Sequence, residues 1–367
     1  MTRIKAILFS LVCLGALLVS PVSYAGSGED AEFKPGEMIV HHVADAHEIH
    51  IIGDFAIYLP IILKTDAGWD IFSSSHFYHK QNTLLSGKDT IVYYAHGNYI
   101  MYHEAIYYKG NSSPIEGFTE DGHLTNAHPF DFSITKSVFG FMLIGFLMVL
   151  MFTSVAKVYK KREGMAPKGL QSFLEPLILF VKDEIAIPAI GSKKAPFFLP
   201  FLLTIFFLIW MSNLLGLIPF LGGFNITGTI GVTIVLAGLV FLIQMFKSNK
   251  YFWGHILWPP GVPHAIKVIM VPVEVFGIFV KPAVLMVRLT ANIAAGHIII
   301  LAFVSLIFIF HDSAGAGVAY GVGIGSTLFM IFMFAIELLV AFLQAYVFTL
   351  LAAIYFGDAV HEPHHHH

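Results

Sequence analysis

His264 to Phe310 reads HAIKVIMVPVEVFGIFVKPAVLMVRLTANIAAGHIIILAFVSLIFIF, 47 residues in which apolar side chains dominate and Glu274, Lys281, Arg288 and His297 interrupt. At about 1.5 Å per residue a helix of this length is about 70 Å long, against a hydrocarbon core of about 30 Å. It cannot stand upright as one straight span. Pro272 and Pro282 permit kinks, and the remainder must tilt or run along the interface. Residues 323 to 356 form a second oversized apolar stretch, about 51 Å by the same rise. The Gly-rich segment between them, His311 to Ile324 with Asp312, predicts a hairpin loop on the outer side. The two stretches therefore pair as a long, tilted antiparallel hairpin.

Working outward, three shorter spans precede this hairpin. Ser137 to Ala156 is unbroken and ends in Lys157, Lys160, Lys161 and Arg162, which marks that end as cytoplasmic. Phe197 to Pro219 crosses outward and turns at Gly222-Gly223, and 226 to 246 returns to Lys247 and Lys250. Gly169 to Ile187 differs. Its apolar residues recur at helical spacing while Lys182, Asp183 and Glu184 interrupt, so it lies on the cytoplasmic surface. The fold class is a mainly α, polytopic membrane protein with five transmembrane helices. The composition agrees: of 367 residues 56% are hydrophobic and 12% charged, too apolar for a soluble domain of this length.

The N-terminal third reads differently. Arg3 and Lys5 precede an apolar run from Ala6 to Val19, with Ser23 and Ala25 at the positions a signal peptidase reads, so 1–25 is a cleavable signal peptide. Residues 26–133 form an acidic, His-rich extracytoplasmic domain, followed by the membrane domain 134–358 and a His-rich tail 359–367. Residues 26 to 135 hold 15 acidic side chains against 5 Lys; residues 136 to 367 reverse to 9 against 14 Lys plus Arg. Ile49 to Leu63, Thr90 to Ala95 and Tyr99 to Tyr108 read as strands of a small mostly β domain, with His96-Gly97-Asn98 as a hairpin turn. Its ten histidines, among them His41, His42, His47, His50, His76 and His79, repeat no ligand spacing and are expected at the surface; no metal is expected. His364 to His367 fit a natural tail or an added tag. The only cysteine, Cys13, excludes a disulfide-stapled fold, and the charge balance excludes a nucleic-acid surface.

The informative residues are the polar ones inside the two long helices: Glu274, Lys281, Arg288, Asn292 and His297 in the first, Glu337 and Gln344 in the second. A charge at mid-bilayer costs about 2.5 to 3.5 kcal/mol on insertion scales, so each needs a partner, a wet cavity or an escape to the interface. Glu274 and Lys281 sit near enough to the cytoplasmic end to snorkel or pair. Arg288 is followed by 22 residues without another Lys or Arg and stays charged at any accessible pH. In an antiparallel hairpin Arg288 falls level with Gln344 and His297 with Glu337, both pairs centring on residues 316 to 317. Arg288 and Asn292, four apart, share a helix face. A histidine and a carboxylate at one depth can pass a proton near neutral pH, which points to a proton inlet; a buried ion pair joining two helices is the plainer reading.

The run Arg288-Leu289-Thr290-Ala291-Asn292-Ile293-Ala294-Ala295-Gly296-His297, with Gln344-Ala345-Tyr346-Val347-Phe348-Thr349-Leu350-Leu351 seven residues after Glu337, resembles subunit a of the F-type ATP synthase. Asn213-Leu214-Leu215-Gly216-Leu217-Ile218-Pro219 and Glu274 with Lys281-Pro282 agree with it, and the resemblance covers about residues 137 to 358. It implies a stator subunit beside the rotating c ring and held by the peripheral-stalk subunit b, with two offset half-channels in a bacterial inner membrane. By this resemblance Arg288 faces the ring carboxylates, while Asn292, His297, Glu337, Gln344 and Glu274 line the proton route. The arrangement of His297 with Glu337 is the mitochondrial one; some bacterial members exchange the two. No cofactor is implied. No Gly-Lys-Ser/Thr phosphate loop occurs, as expected if nucleotide chemistry sits on other subunits and this chain is not itself an enzyme. The acidic front domain is outside the family core; its charge fits a cover over the outer mouth of the route. A secondary transporter, the main rival, would need inverted repeats, and 137 to 247 does not resemble 264 to 356.

Overall fold

The structure, a computed structural model, describes residues 45–52, 55–78, 81–86, 89–110, 113–119, 124–218, 224–259 and 263–360. The signal segment with Cys13, His41, His42 and His79, the Gly222-Gly223 turn and the C-terminal histidines lie outside them. The chain divides into two compact units. One holds the described residues up to Gly140 with 216–224 and His297–Phe334; the other holds Phe141–Leu215, Asn225–Gly296 and the residues from Ala335 on.

Nine strands make three antiparallel sheets in the first unit. β1 (Glu48–Ile52) pairs β2 (Phe55–Tyr58); β3 (Pro60–Thr65) lies between β4 (Gly68–Ser73) and β9 (Phe130–Asp131); β5 (Gln81–Ser86), β6 (Asp89–His96), β7 (Tyr99–Tyr102) and β8 (Ala105–Tyr108) form a meander. The expected strand Ile49 to Leu63 is thus three strands, and Tyr99 to Tyr108 is two. His103 and Glu104 explain the second break, since both take positive φ, 48° and 64°, in a tight two-residue turn. Neither is glycine or asparagine, so the pattern gave no turn signal. The turn at Gly97-Asn98 is where the sequence puts it, with His96 opposite Tyr99. β7 is buried on both faces. Tyr99 and Met101 join a cluster with Ile61, Leu63, Phe77 and Ile106, whereas Ile100 joins Tyr93, Tyr107, Ile115 and Leu124.

His47 is not on the surface as expected: it is 1% exposed, with Nδ1 3.6 Å from Glu104 Oε2 and Nε2 4.0 Å from Asp131 Oδ2. Glu104 also accepts from the Tyr78 hydroxyl at 2.8 Å and from the His47 backbone N–H at 3.3 Å. Burial and the Glu104 carboxylate hold the Tyr78 phenol far above its ordinary range. Burial, then the hydrogen bond to Asp70, pushes Tyr99 up to about 12. His96 is pushed down, by burial first and then by His76, whose ring lies 4.6 Å away centre to centre.

Among the described residues five helices are long and apolar enough to cross a membrane: α1 (Lys136–Lys161), α4 (Ala195–Gly216), α5 (Ile230–Lys247), α7 (His264–Ala314) and α8 (Ala316–Val360). Between α1 and α4, α2 (Leu170–Leu179) runs through a wider π-helical stretch, Phe180–Ala186, into α3 (Ile187–Ile190). This is the amphipathic segment. Leu174, Val181, Ile185 and Ile190 are buried while Lys182, Asp183 and Glu184 are exposed. α6 (Lys250–Leu257) is capped by Asn249, whose Oδ1 accepts from Phe252 N–H at 2.8 Å.

The expected loop His311 to Ile324 is helix instead. α7 continues to Ala314 and α8 starts at Ala316, leaving Gly315 alone with φ +83°. Each glycine weakens a helix by about 0.5–1 kcal/mol relative to alanine, but an unmade backbone hydrogen bond in an apolar setting costs several kcal/mol. The larger cost wins, and the helices persist until one residue reverses the chain. The hairpin register matches the numbering: Phe303 and Phe329 rings sit 4.1 Å apart. Gly315→Val should lower the thermal midpoint of the full chain in detergent by several degrees, because the left-handed region costs a β-branched residue at least about 1–2 kcal/mol. Gly317→Ala, which meets nothing within 4 Å on an ordinary helical backbone, should leave it unchanged or raised.

Candidate functional site: polar groups on the two long helices

α7 turns Ile278, Leu285 and Leu289 inward, all nearly fully buried, and leaves Arg288 and Asn292 exposed. The four-residue spacing of the latter pair sets both on one side of the helix. Arg288 has no hydrogen bond or ion pair with any described residue. Lys281 is treated otherwise: its Nζ lies 3.6 Å from Asp358 Oδ2 and 5.4 Å from the centre of the Tyr355 ring, so the one acid near the end of α8 neutralises the lysine. Glu274 is half-buried two turns earlier on α7.

On α8, Gln344 is buried beside Ala341, Ala345 and Phe348. Glu337 is half-buried, and both its carboxylate oxygens are shielded without a hydrogen-bond partner among the described residues. Such a group is costly unless water or a proton reaches it. Its side chain lies against Gly296 of α7: a Cβ added there would overlap the carboxylate oxygen and come within 3.0 Å of Cδ. His297 follows Gly296 on α7, and its side chain is outside the described set. Glycine at 296 is therefore what lets the acid approach the helix backbone, a role that reading the run residue by residue missed.

Small hydroxyl and amide groups hold these helices in place. Thr233 of α5 and Thr290 of α7 share a hydrogen bond of 2.7 Å; Asn213 of α4 donates to the Ala341 carbonyl of α8 at 3.2 Å, and Thr227 donates to Asn213 Oδ1. Both Thr290 and Ala341 lie within a turn of Arg288 and Gln344, so these bonds fix the rotation of the two helices about their axes. Only Asn213 stood out in the sequence. Lone threonines in apolar runs were the available signal. Next to the Asn213–Ala341 bond on α8, Phe342 packs against Phe206 and Trp210 of α4 and against Phe180.

Burial within the chain is slight along the hairpin: 6% of an apolar 18-residue stretch of α7 and 17% of one of α8. Among the described residues no group of three or more His, Asp or Glu is placed to hold a metal ion. A cation exposed on one long apolar helix without a partner among the described residues, and a shielded acid and a buried amide on the next, define a polytopic membrane protein with ionisable groups at membrane depth.

Residues 139–357 match the family model described as ATP synthase A chain, and the chain belongs to that family. Residues 38–132 match a family described only as a domain of unknown function. "ATP synthase subunit a" of Chloroherpeton thalassium is 40% identical over 64% of this chain and 69% of its own length. "ATP synthase subunit a 2" of Chlorobaculum tepidum is 43% identical over 63% and 64%, and the Myxococcus xanthus subunit a is 39% identical over 64% and 76%. The chain is thus a membrane component of an ATP synthase, of the subunit class that carries protons in the stator.

Gly296→Ala should cut proton transport at least several-fold while assembly persists, because the methyl group displaces the Glu337 carboxylate. Gly277→Ala on the same helix, with nothing within 4 Å, should leave it unchanged. Acid-driven dye quenching in inverted vesicles measures both.

Proposed function

We propose that this chain supplies two offset aqueous half-channels and the arginine that forces carboxylates on a rotating ring of neighbouring helices to release their protons. The observation that carries the reading is Arg288, a permanent cation on an exposed face of α7 that no acid among the described residues neutralises. Its natural counter-ion is a carboxylate on another subunit. The thin burial of α7 and α8 supports the same conclusion, because a large apolar surface remains for a ring to run along.

The chemistry follows from the charge. A ring acid reaching Arg288 is favoured in its ionised form and surrenders its proton toward one half-channel; moving on, it takes a proton from the other before it faces lipid. The guanidinium stays put and bars a direct leak between the two paths. Each proton falling through 100 mV delivers about 2.3 kcal/mol, which drives rotation. Glu337 and His297 form the inlet, with Asn292, Gln344 and Glu274 along the route. Whether H⁺ or Na⁺ moves is set by the ring carboxylate. The subunit makes no ATP alone, its partners being the c ring and the peripheral-stalk subunit b. Lys157, Lys160, Lys161 and Arg162 at the end of α1 support a bacterial inner-membrane topology with the β domain outside and the C-terminus in the cytoplasm.

Arg288→Ala should abolish coupled proton transport in a complex that still assembles; robust ATP-driven pumping by the variant would refute the role. Glu337→Gln and His297→Ala should each impair transport, and the double variant should be little worse than either single one, since both serve one inlet. Additive losses would assign them separate jobs.

A further inference from the structure

We propose that the outward face of the β4-β3-β9 sheet rests on the leaflet of the bilayer nearest to it, with Trp69, Ile71, Phe130 and Phe132 at the headgroup boundary. The proposal rests on the reading that α1 spans a membrane and is independent of the ion path.

Strand alternation defines the face. β3 buries Ile61 and Leu63 in the core, so Ile62 and Lys64 point to the other side. The register carries that side across the sheet: Ile71 lies opposite Ile62, Trp69 and Phe130 lie opposite Lys64 from either flank, and Phe132 N–H donates to the Ile62 carbonyl at 2.9 Å. An antiparallel sheet with one face in water normally presents polar groups there. Here Trp69 is 61% exposed, Ile71 66%, Phe130 75% and Phe132 59%. The Trp69 and Phe132 rings lie 5.6 Å apart, and Lys64 Nζ stands 6.0 Å from the Trp69 ring centre, so the side chains form one patch around one cation.

The chain fixes where this patch can be. β9 ends at Asp131 and α1 begins at Lys136, a connection of at most about 17 Å even fully extended. It is also pinned. Ile134 N–H donates to the Pro60 carbonyl at 3.1 Å, Lys136 N–H to the Ala46 carbonyl at 2.8 Å and Ser137 N–H to Asp45 Oδ1 at 2.8 Å, so the sheet is tied to the first turn of the span. That turn exposes Val138. The apolar surface therefore continues from the head of the span on to the sheet. Indole and phenyl rings with a lysine whose stem is apolar and whose head seeks phosphate have the composition favoured at a membrane–water boundary. The occupant is phospholipid.

The test uses the full chain with Cys13→Ser, a nitroxide on a single cysteine replacing Trp69, Ile71, Phe130 or Phe132, and nanodiscs of phosphatidylethanolamine and phosphatidylglycerol. At these four positions collisions with oxygen, which partitions into lipid, should exceed those with a water-soluble nickel chelate several-fold. At Asn98→Cys, on an exposed hairpin tip, the order should reverse. Nickel exceeding oxygen at the patch overturns the proposal, as does shielding from both probes, which would mean that a protein surface covers it. A second measurement needs no label: brominated lipid should quench a share of the tryptophan emission that Trp69→Phe removes. Equal quenching of both proteins also overturns the proposal.

Discussion

A guanidinium does not give up its proton, and hydrocarbon does not solvate it. Everything on α7 and α8 is arranged around that conflict. Lys281 shares the same helix and the same problem, yet it is met by Asp358 and the face of Tyr355. Arg288 is two turns further along and meets no acid among the described residues. Chains that could bury or pair a charge normally do so, since mid-membrane charge costs about 2.5–3.5 kcal/mol. Leaving one cation open beside a neutralised one is a division of labour: one ties α7 to α8, and on the proposed reading the other waits for a moving partner.

The helices that carry these groups are held by few internal contacts. Hydroxyl and amide bonds at Thr233–Thr290 and Asn213–Ala341 set rotation about each axis, and the aromatic group around Phe342 sets distance on one side. The rest of the surface is apolar and open, which in water would be an aggregation hazard. In an assembly it is room for neighbours. Where the Glu337 carboxylate presses against Gly296, side-chain chemistry and backbone approach are inseparable.

Much of this was legible in the residues because lipid leaves the backbone so few choices. Length and apolar runs gave five spans, and the interruptions at Arg288, Glu337 and Gln344 marked the groups worth following. Equal-depth numbering gave the register seen in the Phe303–Phe329 contact. The failures have physical causes. Gly-rich sequence between 311 and 324 signals a loop in water, where an unmade backbone bond finds a solvent partner, and signals nothing of the kind where it cannot. The break at His103-Glu104 was hidden because both residues adopt positive φ without the usual glycine. His47 was expected outside because nothing in its neighbours' sequence reveals Glu104 and Asp131, brought to it from the β7–β8 turn and from β9. Gly296 reads as a small residue in a helix until the acid beside it is known.

The lone Gly315 between α7 and α8 leaves no slack between two very long helices. A flexible connector would absorb an inserted or deleted residue, whereas here any such change in either helix swings every group beyond it by about 100° and slides it by about 1.5 Å. The spacing from the arginine of one helix to the glutamine of the other is thus counted rather than approximate. Drift in this part of the chain can proceed by exchange of side chains, but single-residue indels are phase errors that no nearby hinge can correct.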